Sequence, residues 1–144
     1  MTPRELVGQA LRLLLDKDMA GFAGLWAPDG VMEFPFAPPG YPRRLDGRAA
    51  IAEYLRGYPD ILDIREISEV RVHQSLDPAV VVVEFRAAGI AVATGQPYRL
   101  DYIAVITVRD NAIAHYRDYW DPVAAVTAIG GLDRLIDAFT GWSR

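Results

Sequence analysis

The chain has 144 residues, of which 51% are hydrophobic, and a formal net charge of -4 at pH 7. This length and composition suffice for one domain with a substantial core, and the negative charge without a basic cluster argues against nucleic acid as a partner. The sequence contains no cysteine, which excludes disulfides, thiolate nucleophiles and cysteine metal sites.

Two further features limit the class of protein. The two histidines are far apart and no HExxH or calcium-loop spacing occurs, so we expect no metal site. No apolar run approaches the about 18 residues of a membrane helix, and the first residues lack the pattern of a signal peptide. We therefore expect a soluble, cytoplasmic protein with no membrane partner.

The first half of the chain is predicted to be mainly helical. Residues 2–5 (TPRE) form a capping box with proline at the first helical position, and leucines follow at helical spacing to about residue 15. The other elements predicted here are a short helix over 18–25, a turn over 27–30, a strand over 31–36, a loop over 37–44 and a helix over 46–59.

From residue 64 the hydrophobic period changes to two, which is typical of strands. Four longer strands are predicted, over 69–75, 79–87, 98–108 and 112–120. A last helical stretch begins at 122 and is interrupted at Gly130 and Gly131. Helices followed by a meander of strands predict an α+β fold, in which the helices pack on the concave face of a curved antiparallel sheet, and we expect one domain over 1–144.

The last hairpin decides which side chains share a face. Asp110-Asn111 is typical of a two-residue turn, which places Ile103 opposite Asp118 and Asp101 opposite Trp120. One face then carries Asp101, Ile103, Val105, Tyr116, Asp118 and Trp120, and the other carries Tyr102, Ala104, Ile106, His115, Arg117 and Tyr119.

The preceding hairpin can close with a turn of either of two lengths. Closing it at residues 75–79 sets His73 near Val82 and puts Val82, Glu84 and Arg86 on one face, whereas a turn one residue longer inverts that face.

Three carboxylates, Asp118, Asp101 and Glu84, thus share a predicted face with aliphatic and aromatic side chains. Such a face is typical of a pocket for an apolar molecule with one or two reactive polar atoms. Carboxylates in apolar surroundings have raised pKa values, so one can act as an acid while another acts as a base. The alternative is structural: Asp118 pairs with Arg117 or Arg86 at a rim, and the aromatic residues are core.

The element order, with WAPDGVMEFPF at 26–36, TGQPY at 94–98 and RDNAIAHYRDYWDP at 109–122, resembles the SnoaL-like and ketosteroid-isomerase-like superfamily, which includes nuclear transport factor 2. The resemblance covers about residues 3–128. It implies a cone-shaped fold that hosts isomerases, polyketide cyclases, dehydratases, limonene-epoxide-hydrolase-type enzymes, PhzA/PhzB-type proteins and non-catalytic ligand-binding members.

The resemblance to ketosteroid isomerases does not extend to their catalytic residues. The base falls at Phe34, the oxyanion tyrosine near Ala10 and the oxyanion aspartate at about Ile103. Isomerisation by that set of residues is therefore not expected, and the comparison implies that Phe34 and Ile103 line the cavity.

The limonene-epoxide-hydrolase type matches better. Its RDYF segment resembles RDYW here, with Asp118 as the acid or base, and its second aspartate corresponds to Glu84. Its arginine falls at Val82, and its water-holding residues fall at Met32 and Phe34. PhzA/PhzB-type members resemble this chain in an acid on the last strand, with His73 as its partner; the alternative for His73 is a surface position near a turn.

We therefore predict catalytic roles for Asp118, Glu84, His73 and Asp101. The predicted substrate-binding residues are the aromatic and apolar side chains assigned to the mouth and floor of the cone: Trp26, Met32, Phe34, Phe36, Tyr54, Tyr58, Val82, Ile103, Tyr116 and Trp120. For each of them core packing is the alternative. The opposite sheet face is aromatic at Tyr102 and Tyr119, which predicts a homodimer interface.

The function predicted is cofactor-free acid/base chemistry on a small hydrophobic molecule of secondary metabolism: a cyclisation, isomerisation, dehydration or epoxide opening. One alternative is a non-catalytic ligand-binding protein of the same fold. The other is a protein-interaction module like the transport factor, in which three cavity carboxylates would have no role.

Overall fold

The computed structural model describes residues 1–140, so the last four residues of the predicted domain lie outside the described residues. The helices are α1 (Pro3–Leu15), α2 (Met19–Gly24), α3 (Arg48–Arg56), α4 (Tyr58–Ile61), α5 (Pro122–Ile129) and α6 (Leu132–Thr140). The strands are β1 (Trp26–Glu33), β2 (Arg44–Asp46), β3 (Leu62–Gln74), β4 (Val80–Ala91), β5 (Gln96–Arg109) and β6 (Ala112–Trp120).

Two of the helices, α1 and α5, begin where a side chain satisfies free backbone N–H groups. In α1 the Thr2 hydroxyl accepts a hydrogen bond of 3.1 Å from the N–H of Glu5, as the capping box predicted. In α5 the Asp121 carboxylate accepts a bond of 2.9 Å from the N–H of Val123. Asp121 therefore ends β6 and begins a helix that turns back over the sheet.

The six strands form one curved, unclosed sheet in the order β2-β1-β6-β5-β4-β3. Neighbouring strands are antiparallel except β1 and β6, which run parallel. The predicted α+β class is confirmed, and the parallel pair is a feature that the strand meander did not predict. Because β6 lies between β1 and β5, its side chains are central in the sheet.

Several predicted element boundaries were wrong. The segment 27–30, predicted as a turn, lies within β1, whose pairing with β6 is irregular between Trp26 and Val31. β3 begins at Leu62, well before the predicted start at 69, because irregular pairing between Ile64 and Glu66 and between Ser68 and Arg71 interrupts the alternation that starts with the buried Leu62 and Ile64. Gly57 divides the predicted helix over 46–59 into α3 and α4.

The register of the last hairpin also differs from the prediction. Arg109 lies opposite Ala112 as expected, but Val108 pairs with Ile113 and Thr107 with His115, so β6 contains one extra residue, a β-bulge at Ala114. Beyond such a bulge every partner shifts by one position and the faces exchange.

Asp118 consequently lies opposite Ala104, and Trp120 lies opposite Tyr102. The predicted pairings of Asp118 with Ile103 and of Trp120 with Asp101 were wrong. Tyr102, which was assigned to the opposite face, shares the inner face with Asp118.

The register of β3 and β4 was predicted correctly, since His73 pairs with Val82. On β4 the alternating residues Val81, Val83, Phe85 and Ala87 are buried, so Val82 and Glu84 point to the other, outer face of the sheet. The placement of Val82 and Glu84 in the cavity was wrong. Four consecutive valines at 80–83 give no sign of which face is buried, because both faces receive the same side chain.

The core lies between the concave face of the sheet and the helices, and its fully buried side chains include Trp26, Phe34, Ile51, Ile64 and Ile106. Over residues 1–140 the model has no helix that is both long enough and apolar enough to cross a membrane.

Candidate functional site

A cavity of about 60 Å³ lies between the concave face of the sheet and the helices. β6 contributes Tyr116, Asp118 and Trp120, and β5 contributes Tyr102. The C-terminal helices close it with Ala125, Ala128 and Ile129 from α5 and Leu135 and Phe139 from α6. Nine of the lining residues are aromatic: Phe22, Tyr41, Tyr54, Tyr58, Phe85, Tyr102, Tyr116, Trp120 and Phe139.

Asp118 is the only charged side chain among the described residues that line this cavity. The alternation of β6 turns Tyr116, Asp118 and Trp120 to the same side. Asp118 retains some accessible surface because it faces the cavity, while its Oδ1 atom is buried and has no hydrogen-bond partner in the part of the chain that the structure describes. A carboxyl group without a partner in apolar surroundings is the chemical feature of this site.

Burial raises the pKa of Asp118 from the usual 3.8 to about 7, because the ionised form loses its hydration. A group that titrates near neutral pH can both give and accept a proton there. The ion pair considered as an alternative from the sequence does not form with Arg86, whose guanidinium binds Asp101 instead at 2.7 Å.

Tyrosine hydroxyls surround Asp118 in two pairs. The hydroxyls of Tyr41 and Tyr54 are hydrogen-bonded to each other, and those of Tyr58 and Tyr102 lie 3.3 Å apart. The pKa of Tyr58 is raised to about 12, mainly by burial. The hydrogen bond with Tyr102 lowers this pKa in part, and the charge of Asp118 raises it further. Burial likewise raises the pKa values of Tyr41, Tyr54 and Tyr102 well above 10.0. These tyrosines therefore stay neutral and act as hydrogen-bond donors rather than proton carriers.

Two predicted binding residues support the cavity from behind. Trp26 stacks on Tyr116 with ring centroids 5.4 Å apart, and Phe34 packs on Tyr54 at 5.2 Å. Both side chains are 1% exposed and do not line the cavity. They hold the lining rings in place.

The predicted residues that line the cavity are Asp118, Met32, Tyr54, Tyr58, Tyr116 and Trp120. Apart from the core residues Trp26 and Phe34, the other predicted residues lie on or beside the outer face of the sheet. There Asp101 binds Arg86, and His73 lies 2.7 Å from Glu84 in an exposed pair. Neither Asp101 nor Ile103 faces the cavity, because the bulge at Ala114 moves them to the outer face.

Phe36 lies beside this outer face. It is 59% exposed and packs on Tyr119 with ring centroids 5.2 Å apart. Phe36, Ile103 and Tyr119 line a groove of about 600 Å³ together with charged residues of both signs, among them Glu84, Arg86 and Asp101. We call this surface the outer groove. It differs from the apolar cavity in carrying several acidic and basic side chains.

Many cavity residues were not among the predicted site residues, and three of them, Tyr41, Tyr102 and Phe139, contact or lie beside the other tyrosines of the site. Tyr102 was missed because of the bulge, and Tyr41 because nothing in the proline-rich loop indicates that its tyrosine turns inward. Phe139 packs against Tyr41, Tyr54 and Tyr58. The helical spacing of α6 signals an apolar face but not the element that it covers.

The described residues contain no group of three or more His, Asp or Glu side chains arranged to hold a metal ion. What the site provides is one carboxyl group that titrates near neutral pH, several neutral hydroxyl donors and apolar walls. Such groups can move a proton on a bound molecule and donate hydrogen bonds to an oxygen of that molecule.

Comparison with known proteins assigns the chain to a family. The model of the SnoaL-like domain matches residues 7–116, and the chain belongs to this family. The chain is 40% identical over 127 residues to the uncharacterised protein YesE of Bacillus subtilis, covering 88% of the chain and 86% of that protein. It is 38% identical over 133 residues to an uncharacterised PhzA/B-like protein of Pseudomonas aeruginosa, covering 92% and 94%.

Solved structures agree with the fold. A crystal structure from Bacillus subtilis, for which isomerase activity has been suggested, is 40% identical with a TM-score of 0.85, covering 92% of this chain and 98% of that one. The epoxide hydrolase/cyclase-like enzyme SalBIII, described in pyran ring formation in the polyether salinomycin, is 18% identical with a TM-score of 0.71, covering 84% and 92%. At that identity the likeness to SalBIII concerns the fold alone.

Proposed function

We propose that this protein is a small-molecule enzyme of secondary metabolism in which Asp118 performs general acid/base catalysis inside the apolar cavity. The observation that supports this proposal is the Asp118 carboxyl group, which has no hydrogen-bond partner among the described residues and a pKa raised to about 7 by burial. Near neutral pH such a group is present in both protonation states, so it can remove a proton from a substrate and return it.

The reaction class is a cyclisation, isomerisation, dehydration or epoxide opening. Each of these needs a positioned proton donor or acceptor, and in each an oxygen atom of the substrate gains or loses charge. The neutral hydroxyls of Tyr58 and Tyr102 line the same cavity and can donate hydrogen bonds to that oxygen. The isomerase activity suggested for the Bacillus subtilis structure, which is 40% identical to this chain, supports these classes.

The balance of roles follows from the two sets of pKa values. Asp118 titrates within the working range, whereas the tyrosines keep their protons because burial raises their pKa values. We therefore assign proton transfer to Asp118 and hydrogen-bond donation to the tyrosines. Glu84, His73 and Asp101 have no part in this proposal, since they lie on the outer face.

The test is turnover of a panel of small epoxides, enones and polyketide-like aldehydes by the wild type, by Asp118→Asn and by Asp101→Asn. Asp118→Asn keeps the shape of the side chain but removes the proton-transfer group, and we expect kcat/KM to fall by about 10²–10⁴. Asp101→Asn is the matched control, since this exposed aspartate lies on the outer face, and it should leave turnover unchanged.

Turnover that survives in Asp118→Asn would contradict the proposal. Binding without turnover in either protein would favour the alternative, a non-catalytic ligand-binding member of the family. That alternative is consistent with Phe34, a buried core residue at the position of the isomerase base.

We further propose that the outer groove forms the interface of a homodimer. It combines exposed apolar side chains, Phe36 and Ile103, with acidic and basic residues that can each find a partner of opposite charge on a second copy. A surface that carries both members of its ion pairs is suited to a two-fold interface, in which the same patch meets itself.

A further inference from the structure

The cavity has an unusual charge balance. Its walls are aromatic and aliphatic, and within the described part of the chain its lining contains one acidic residue, Asp118, and no lysine, arginine or histidine. Because no basic side chain faces it, the carboxylate has no counter-charge when it is ionised. A ligand is then the one component that could supply a positive charge.

The hydrogen bonds around Asp118 lead to the same conclusion. The Tyr41 and Tyr54 hydroxyls bind each other and those of Tyr58 and Tyr102 pair, so none of the four is hydrogen-bonded to the carboxyl group. The Oδ1 atom of Asp118 is buried without a hydrogen-bond partner in residues 1–140. A buried carboxylate oxygen without a donor costs free energy, which a cationic ligand offsets by donating an N–H, where it has one, or by placing its positive charge next to the oxygen.

We propose that the cavity binds a small organic cation, such as a tertiary or quaternary ammonium group with methyl substituents, between Asp118 and the surrounding aromatic rings. The positive centre would neutralise the carboxylate, and the methyl groups would contact the apolar walls. Aromatic side chains attract such cations through their ring electrons, most strongly when water is excluded. An anion of the same shape would be repelled by Asp118 and would find no basic side chain.

The size of the cavity limits the ligand. A water molecule requires about 10–15 Å³ of cavity volume measured in this way, so about 60 Å³ accommodates a group of roughly five non-hydrogen atoms. Tetramethylammonium has this size and is the probe that we choose.

The protonation state of Asp118 should control this binding. The titratable groups that face it are Tyr54 from α3, Tyr58 from α4, Tyr102 from β5, Tyr116 from β6 and Tyr41 from the segment before β2. Burial raises the pKa of each above 10.0, so all remain neutral below pH 9. The residues that line the cavity from α1, α2, β1, α5 and α6 are not titratable.

Asp118 is therefore the group that titrates on cation binding. Below its pKa a cation must displace the Asp118 proton, so affinity should fall about tenfold for each pH unit below about 7 and level off above it. A neutral ligand of the same shape should show a much weaker dependence.

The experiment compares the cation tetramethylammonium with tert-butanol, a neutral molecule of the same size, and the anion pivalate with pinacolone, its neutral counterpart in shape. Their dissociation constants for the whole protein are measured by NMR titration at pH 5.5, 7 and 8.5. At pH 8.5 we expect tetramethylammonium to bind at least about tenfold more tightly than tert-butanol, and pivalate to bind more weakly than pinacolone.

Asp118→Asn removes the charge with little change in shape and should abolish both the preference for the cation and its pH dependence. Asp101→Asn, on the outer face, should preserve both. A cation preference retained in Asp118→Asn, pivalate binding as tightly as tetramethylammonium, or no detectable binding of the cation at pH 8.5 would each overturn the inference. The pH profile of the wild type supplies a test that does not depend on the variant folding.

This inference concerns the same cavity as the proposed function but does not depend on catalysis. Charge selectivity without turnover would support the inference and contradict the enzymatic proposal. Turnover that depends on Asp118, without any cation preference, would do the reverse. The two proposals can therefore fail separately.

Discussion

Asp118 on β6 lies directly opposite Ala104 on β5, and the Ala104 side chain is fully buried on the same face of the sheet. Cross-strand partners have Cβ atoms about 5 Å apart, so a hydroxyl at position 104 would be within reach of the carboxylate. We expect Ala104→Ser to stabilise the ionised form of Asp118 and so to lower its pKa below about 7.

A carboxyl-carbon NMR titration measures this pKa directly, with Asp118→Asn to assign the signal. The matched control is Ala87→Ser, because Ala87 is also fully buried but lies opposite Leu100 on another part of the sheet. That variant should leave the pKa of Asp118 unchanged. A pKa of Asp118 that rises or stays constant in Ala104→Ser would mean that the carboxyl group is not accessible from β5.

The raised pKa of Asp118 should also make stability depend on pH. The folded protein holds the proton more tightly than the unfolded chain, so the stabilisation is complete below about pH 4 and is lost as the pH rises to about 7. A change from 3.8 to about 7, at about 1.36 kcal/mol per pH unit, corresponds to a loss on the order of 4 kcal/mol.

Urea unfolding of the wild type and of Asp118→Asn between pH 4 and pH 8 tests this. The difference in free energy of unfolding between the two proteins should move in favour of the variant as the pH rises. A constant difference across that range would show that Asp118 has an ordinary pKa in the folded state.

Much of the architecture could be predicted from the sequence because its signals are local. The capping box at Thr2, the hairpin turn at Asp110-Asn111 and the alternation along β6 each depend on neighbouring residues. The pairing of His73 with Val82 was likewise fixed by the length of one turn.

The composition of the candidate site could be predicted only in part, because one bulge residue decides it. Nothing in the sequence at Ala114 distinguishes a bulge from a regular strand. The bulge nevertheless shifts the pairing of β5 with β6 by one residue, so the residues of β5 beyond it share a face with different residues of β6 than a regular hairpin would predict. Tyr102 therefore lines the cavity, whereas Asp101 and Ile103 do not. The contributions of Tyr41 and Phe139 depend on how distant segments pack, which no local pattern encodes.

Closure of the cavity by α6 leads to a prediction about ligand exchange. The Phe139 ring stacks on Tyr54 with centroids 5.6 Å apart and is 4% exposed, and α6 follows two glycines with positive φ angles, 101° at Gly130 and 126° at Gly131. We expect Phe139→Ala to open the cavity, to increase the rate of ligand dissociation and to reduce stability by about 3–5 kcal/mol.

Line-shape analysis of NMR titrations with tetramethylammonium or tert-butanol gives the dissociation rate, and thermal unfolding gives the stability. Val123→Ala is a suitable control, since this apolar residue of the neighbouring helix α5 is 72% exposed and should affect neither quantity. Unchanged exchange in Phe139→Ala, with stability reduced, would mean that ligands enter elsewhere.

The proposed homodimer makes the last prediction. Ile103 is 44% exposed in the outer groove beside charged residues, and Glu84 lies directly opposite it on β4. An aspartate at position 103 would add a like charge next to Glu84 and would replace an apolar contact, so Ile103→Asp should dissociate the dimer. Size-exclusion chromatography with light scattering measures the mass, which should fall from twice 15.9 kDa to 15.9 kDa.

Leu76→Asp introduces the same change at a fully exposed residue between β3 and β4 and should keep the dimer mass. A wild-type protein that is monomeric at high concentration, or an Ile103→Asp variant that remains dimeric, would exclude the outer groove as the interface.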